Sequence, residues 1–226
     1  MIIAKNLTKR FGPIYALRDV SVKIGEGTTL IVGPNGGGKS TFLRLIVGIY
    51  RPTRGEIRVF GRDPWKDKEI KKMIGFSSDP PAFPNFITGR EWLLLLSEEK
   101  EGGEEEVEKV ADLFNIDFLD LRIEKYSSGM RKLLAISQAF IGNPKLIILD
   151  EPFSGLDFKN VRKVIKVIME FKELDVNFLI VSHIWEPLIP LADWMIMISE
   201  GRIVVNGPTE TAKGEIKRIF KEMLVL

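Results

Sequence analysis

An α/β fold with a mostly parallel sheet is predicted by three features of this sequence. A strand-like apolar run, residues 28–32, leads into GPNGGGKS at residues 33–40 and then into a helix-length apolar segment, residues 42–49. Two further buried-strand runs, residues 146–149 and 178–181, flank a segment of helical periodicity at residues 161–174, the alternation from which parallel sheets are built. Between these regions the pattern is helical, with segments at residues 88–99, 104–114 and 128–141.

Taken in chain order, residues 2–4, 20–24 and 56–60 read as strands joined by turn residues such as Gly25, Gly27, Pro52 and Gly55, so the start is rich in β structure. The middle third reads as a separate helical lobe. Residues 195–198 and 202–205 form a hairpin across Ser199, Glu200 and Gly201. A last helix carries Ile216, Ile219, Phe220, Met223 and Leu224 on one stripe, with Lys217, Arg218, Lys221 and Glu222 opposite. The acidic stretch at residues 98–108 reads as a solvated loop and helix start rather than a metal site.

A chain of 226 residues with 45% hydrophobic content can bury a sizeable core as one domain or two packed lobes. With 33 basic and 31 acidic side chains the net charge is only +2, so no nucleic-acid partner is expected from electrostatics. The absence of cysteine excludes disulfides and thiolate metal sites. Lys5, Lys9 and Arg10 interrupt the apolar run that a secretory signal needs. The longest apolar runs, such as residues 93–96 and 146–149, are too short to span a bilayer, so any membrane role is borrowed from a partner.

GPNGGGKS matches a phosphate-cradling P-loop at every fixed position, and its strand-to-helix context is the one that motif requires. Gly33, Gly36, Gly37 and Gly38 lack β-carbons, which lets the backbone turn tightly and aim N–H groups at phosphate oxygens; Pro34 and Asn35 complete the loop. Lys39 adds a point charge. Ser40 and Thr41 open the helix whose positive dipole end faces the phosphates, with the Ser40 hydroxyl suited to magnesium. A nucleoside triphosphate such as ATP, with Mg2+, is the implied ligand.

Residues 146–151 read LIILDE, a buried strand with two carboxylates at its carboxyl end, where ligands bind in open α/β sheets. Asp150 is suited to hold a hydrated magnesium ion and Glu151 to polarise the water that attacks the terminal phosphate. YSSGM at residues 126–130 precedes a helix and reads alone as a cap; SGLD follows at residues 154–157 and VSH at residues 181–183. His183 is the single histidine; after the last parallel strand it can reach a γ-phosphate as a hydrogen-bond donor. Phe11 is either core packing or a stacking platform for a base.

The ordered set of Phe11, GPNGGGKS, YSSGM, LIILDEP, SGLD and VSH resembles the ATP-binding subunit of an ATP-binding cassette (ABC) transporter over nearly the whole chain. The resemblance implies one ATPase domain across residues 1–226. Its P-loop NTPase core and N-terminal antiparallel β subdomain would occupy residues 1–86 and 143–226, and a helical signature subdomain residues 87–142. It also implies an aromatic loop at Phe11, Walker A at residues 33–41, a signature at Ser127, Ser128 and Gly129, Walker B at Asp150 with catalytic Glu151, a D-loop at Asp157, and a switch histidine at His183. In such proteins two ATP molecules are sandwiched in a head-to-tail dimer, homomeric or heteromeric. A transmembrane permease would be the partner, placing the chain in the cytoplasm on the inner face of the cell membrane.

Two departures stand out. The family's magnesium-contacting glutamine is replaced by Asp79 at the end of IGFSSD, which can still ligate magnesium through a carboxylate oxygen. In the signature, Tyr126, Ser128 and Met130 replace leucine, glycine and glutamine. The loop PPAFPNFITGRE, with Phe83 and Phe86, is where the resemblance places the permease socket. The short chain and SSGM favour export over import. A soluble ABC ATPase acting on ribosomes or DNA, or a low-turnover regulatory module, is the alternative.

Overall fold

In the computed structural model residues 1–224 are described, Leu224 by its backbone alone. The strands in chain order are β1 (Ile2–Phe11), β2 (Ile14–Ile24), β3 (Thr28–Val32), β4 (Arg54–Val59), β5 (Ile74–Ser77), β6 (Leu146–Asp150), β7 (Asn177–Val181), β8 (Trp194–Ser199) and β9 (Arg202–Pro208). The helices are α1 (Lys39–Ile46), α2 (Glu69–Lys72), α3 (Gly89–Glu99), α4 (Glu104–Phe114), α5 (Ser128–Ser137), α6 (Phe158–Lys172) and α7 (Thr209–Leu224). The chain divides into two units, one formed by Met1–Lys71 with Leu179–Leu226 and the other by Lys72–Phe178.

In the first unit, β1 pairs antiparallel with β2 and with β4, giving a three-stranded sheet. Both β1 and β2 run well beyond the apolar runs that announce them. The reason is bulging: Asn6 and Asp19 sit at φ 48 and 52, and the pairing register shifts between Ala4 and Leu7. Each bulge resets the in–out alternation, so Ala4 and Leu7 are both buried, as are Leu17 and Val20, although neither pair has strand spacing.

β3 is buried along its whole length and pairs parallel with β8, which turns back antiparallel into β9. The hairpin is longer than the apolar runs on either side of its turn. In α7, Ala212 and Ile216 are buried and Phe220 stacks on Trp185 at 6.1 Å. Met223 is 39% exposed, so the buried stripe fades towards the end of the helix; the side chain of Leu224 lies outside the described residues.

In the second unit, β5 and β6 pair parallel from Ile74 opposite Leu146 to Ser77 opposite Leu149. The chain between them is helical. Thr88 and Glu91 form a reciprocal capping box at the start of α3, and Asn115 ends α4 in the left-handed region at φ 45. Sequence periodicity carries α5 to residue 141, but the α-helix stops at Ser137 and tightens into a 3-10 turn, Gln138–Phe140. There the backbone of Ala139 lies against Gly75, so closely that a β-carbon on Gly75 would overlap its carbonyl. The Gln138 side chain locks this junction, accepting from Trp92 Nε1 at 2.7 Å and donating to Phe76 O at 3.0 Å. Phe140 is the centre of an aromatic cluster, with Phe114 at 5.0 Å and Phe171 at 4.9 Å.

The acidic stretch is partly neutralised. Arg90 Nε donates to Asp120 Oδ1 at 2.6 Å and its Nη1 donates to Glu104 at 2.9 Å and to Glu108; these carboxylates hold the guanidinium pKa well above its usual value. Among the described residues no three His, Cys, Asp or Glu side chains are grouped to hold a metal, and no helix is long and apolar enough to cross a membrane.

Candidate functional site

The phosphate loop belongs to the first unit and is shaped by its glycines. Gly33, at φ 144, passes so close to Ile198 that a β-carbon would overlap the Ile198 carbonyl; Gly38, at φ 110, meets Ala16 O in the same way. Any L side chain at either position would be strained by conformation and blocked by backbone, so the loop has its present path only with glycine. Gly37 N donates to Pro34 O at 3.1 Å, and Gly201 N donates to Gly37 O at 2.9 Å, tying the loop to the β8–β9 turn. Pro34, Asn35 and Gly36 form its outward rim, Asn35 and Gly36 being exposed.

Gly38 is the N-cap of α1, and Lys39, Ser40 and Thr41 make its first turn. The amides of that turn form the positive end of the helix, the arrangement that binds an anion. Lys39 is 6% exposed, and its ammonium donates to Gly33 O at 2.8 Å and Pro34 O at 2.9 Å. These bonds hold the charge inside the concave side of the loop. Ser40 and Thr41 are half-buried.

Two more predicted residues lie in this unit. Ser182 N donates to Ile31 O at 3.2 Å, which sets the end of β7 beside the end of β3. His183, the next residue, is therefore carried at the strand ends from which the phosphate loop departs, and it is exposed. Phe11 is 43% exposed, with its edge against Tyr50 at 5.2 Å and Lys9 Nζ 4.9 Å from its ring centre. Packing therefore occupies one part of the ring and leaves the rest open to stacking.

The second unit holds the carboxylates. Asp150 closes β6 and is 1% exposed; Glu151 follows in the left-handed region at φ 48, an uncommon setting for a residue with a β-carbon. Asp79 follows β5, the strand that pairs with β6. Its Oδ1 accepts from Lys132 Nζ at 2.8 Å, and the same ammonium donates to Asp150 O at 3.3 Å. Lys132 is 3% exposed and Asp79 36%. One buried cation thus clamps the Asp79 loop to the end of β6. A metal approaching Asp79 would meet a carboxylate with one oxygen already engaged.

Sequence reasoning passed over Lys132. The signal was present, because Lys132 and Ile136 are one helical turn apart and both buried, so the lysine interrupts an apolar stripe of α5.

Ser127 is the N-cap of α5, its Oγ accepting from Met130 N at 3.2 Å, with Ser128 and Gly129 in the first turn. A β-carbon on Gly129 would lie 3.7 Å from Gly155 O, so the SSG turn and the SGLD segment are neighbours. Asp157 caps α6, accepting from Asn160 N at 2.8 Å and from Asn160 Nδ2 at 2.9 Å. Tyr126 packs edge-on to Phe118 and donates its hydroxyl to Phe118 O at 2.9 Å. Burial pushes its pKa up to about 12. In the loop before α3, Phe83 packs on Trp92 at 5.8 Å whereas Phe86 is 75% exposed.

Residues 17–154 match the family described as ABC transporter. The chain is 30% identical over 227 residues to the lantibiotic transport ATP-binding protein SrtF of Streptococcus pyogenes, covering 100% of this chain and 98% of that one. It is 31% identical over 231 residues to the bacitracin transport ATP-binding protein BcrA of Bacillus licheniformis, covering 99% of this chain and 75% of that protein. It is also 31% identical to an uncharacterised ABC transporter ATP-binding protein of Nostoc, with 89% of this chain matched, and spans 62% of that relative's length. Among solved structures, the dimeric cassette MJ0796 superimposes with a TM-score of 0.85 at 25% identity, covering 92% of this chain and 99% of that one. A second structure of that cassette, a dimeric post-hydrolysis state bound to ADP and Pi, superimposes with a TM-score of 0.84.

Proposed function

Because the chain belongs to the ABC transporter family and is a nucleotide-binding ATPase of that family, we propose that it dimerises head to tail on ATP and powers a separate membrane permease. The observation that carries this reading is the phosphate loop, whose path only glycine can follow at residues 33 and 38. As a unit, the ATPase domain would take in the whole chain, with residues 87–142 as its signature-bearing helical part.

Gly33, Pro34, Asn35, Gly36, Gly37 and Gly38 wrap the phosphates with backbone N–H groups, and Lys39 neutralises the β and γ oxygens. Glu151 takes the proton of the attacking water, and His183 donates to the γ-phosphate as charge builds in the transition state. Phe11 offers its open face to the base. Ser127, Ser128 and Gly129 present the amide end of α5 to the nucleotide of the opposite subunit, with Asp157 ordering the adjoining turn. Magnesium, when bound, would supply charge that offsets the phosphates; the Ser40 hydroxyl in one unit and the carboxylates of Asp150 and Asp79 in the other are hard oxygens of the kind it would take.

The permease would meet the loop carrying exposed Phe86, which holds the chain on the inner face of the membrane. Export is the direction proposed, on the SSGM signature at residues 127–130.

Glu151→Gln tests the assignment. The variant keeps the shape and loses the base, so ATP turnover is expected to fall at least about 100-fold while ATP still binds. Sedimentation with ATP is then expected to show a dimer that grows with protein concentration. Parental turnover in this variant would remove Glu151 from the mechanism.

A further inference from the structure

We propose that the outer face of the β1–β2–β4 sheet holds a second anion site, built for a small soluble molecule carrying two or more phosphoryl groups. A cavity of about 400 Å3 there is lined by Arg10, Arg18, Arg54 and Arg202, with Tyr15 between them. It is separate from the phosphate loop. Alternation along β1 puts Lys9 and Phe11 on one face, where Lys9 Nζ lies 4.9 Å from the Phe11 ring, and Arg10 on the other, 5.8 Å from the Tyr15 ring.

The chemistry of the lining selects the ligand. Among the described residues none of the four arginines makes an ion pair with a carboxylate of the chain; Arg10 and Arg18 lie against Tyr15 instead, at 5.8 and 5.2 Å. Asp19 is the cavity's one carboxylate, and its Oδ1 already accepts from Asn6 Nδ2 at 2.9 Å. The hydroxyl oxygens of Thr8 and Thr53 accept from Asp19 N at 3.1 Å and Arg10 N at 3.0 Å, so each O–H remains to donate. The cavity therefore offers donors and positive charge, with little to accept a hydrogen bond. Clustered guanidinium groups repel one another unless an anion joins them. Their planar forks suit phosphoryl oxygens, and the volume suits a small molecule.

Inorganic tripolyphosphate is the probe, titrated calorimetrically into the full chain at low and physiological salt, with and without saturating ADP. Binding is expected to persist when ADP fills the nucleotide site and to weaken with salt. Arg54→Gln/Arg202→Gln is expected to weaken it at least about tenfold, with ADP affinity and thermal midpoint unchanged. The charge-matched control Lys23→Gln/Lys213→Gln, at two exposed lysines outside the cavity, is expected to bind as the parent does. Loss of binding in the presence of ADP, or equal losses in both double variants, would overturn the site. Binding to phosphatidate vesicles without binding to tripolyphosphate would overturn the assignment of a soluble ligand.

Discussion

Removing either half of the Asp79–Lys132 pair is expected to have unequal consequences, and the inequality follows from burial. The ammonium is 3% exposed and lies 2.8 Å from a carboxylate that is 36% exposed. Asp79→Ala leaves a charge inside the protein with the Asp150 carbonyl as its remaining hydrogen-bond partner among those described, at 3.3 Å. Breaking a buried pair in this way costs about 3–5 kcal/mol; water that reaches the carboxylate side lowers the expectation to about 2 kcal/mol. Lys132→Met instead leaves a carboxylate that water can solvate and puts an apolar chain where the lysine stem lay, so its cost is about 0–1 kcal/mol. The double variant should match Lys132→Met, giving a coupling of about 2 kcal/mol. Urea unfolding of the four proteins measures this, with a midpoint fall of about 4–8 °C expected in parallel for Asp79→Ala alone. Equal losses in the two single variants, or coupling below about 0.5 kcal/mol, would refute the reasoning.

Three other outcomes are expected. Lys39→Ala should lower nucleotide affinity and turnover together, whereas His183→Ala should keep ATP binding and lose turnover; an inactive His183→Ala that also fails to bind ATP would point to a structural role. Lys100 is half-buried, its ammonium donating to Ile141 O at 2.8 Å, and desolvation lowers its pKa to about 8. Between pH 8 and its unfolded pKa of 10.5 the unfolded chain holds a proton that the folded chain has released, so this group adds stability as pH rises. The stability of the parent relative to Lys100→Met should therefore improve by up to about 3 kcal/mol from pH 7 to 10, and a constant difference would exclude it. Gly89→Ala, which at a helix start would ordinarily be benign, should cost about 1–3 kcal/mol because the new β-carbon meets the Tyr126 hydroxyl. Tyr126→Phe should relieve that cost, as thermal unfolding would report.

What could be read from the sequence was whatever is local. β3 and β6 are buried strands built on the apolar runs 30–32 and 146–149, and α4 begins at three glutamates and keeps its period to Phe114, so their places are legible. The phosphate loop is contiguous and depends on residue type, which makes it the most legible part of the site. The sequence pattern gives β1 and β2 too short because bulges break the period that identifies a strand, and α5 too long because its end is set by an approach to Gly75. Asp79 and Lys132 are 53 residues apart, and nothing in their spacing announces that they meet. The acid that stands where the resemblance expects a glutamine is held by that lysine.

The left-handed backbone at Glu151 also decides how the site can be interrogated. A β-branched residue there would add conformational strain of about 1–3 kcal/mol to the loss of the carboxylate, so an inactive Glu151→Val protein would report a displaced strand end as readily as a missing base. Asparagine and glycine accept this conformation most easily, and glutamine keeps the parent's shape. A series of Gln, Asn and Gly at position 151 keeps residues this backbone tolerates while the length and polarity of the side chain change, so differences in turnover within it report the side chain with little strain added.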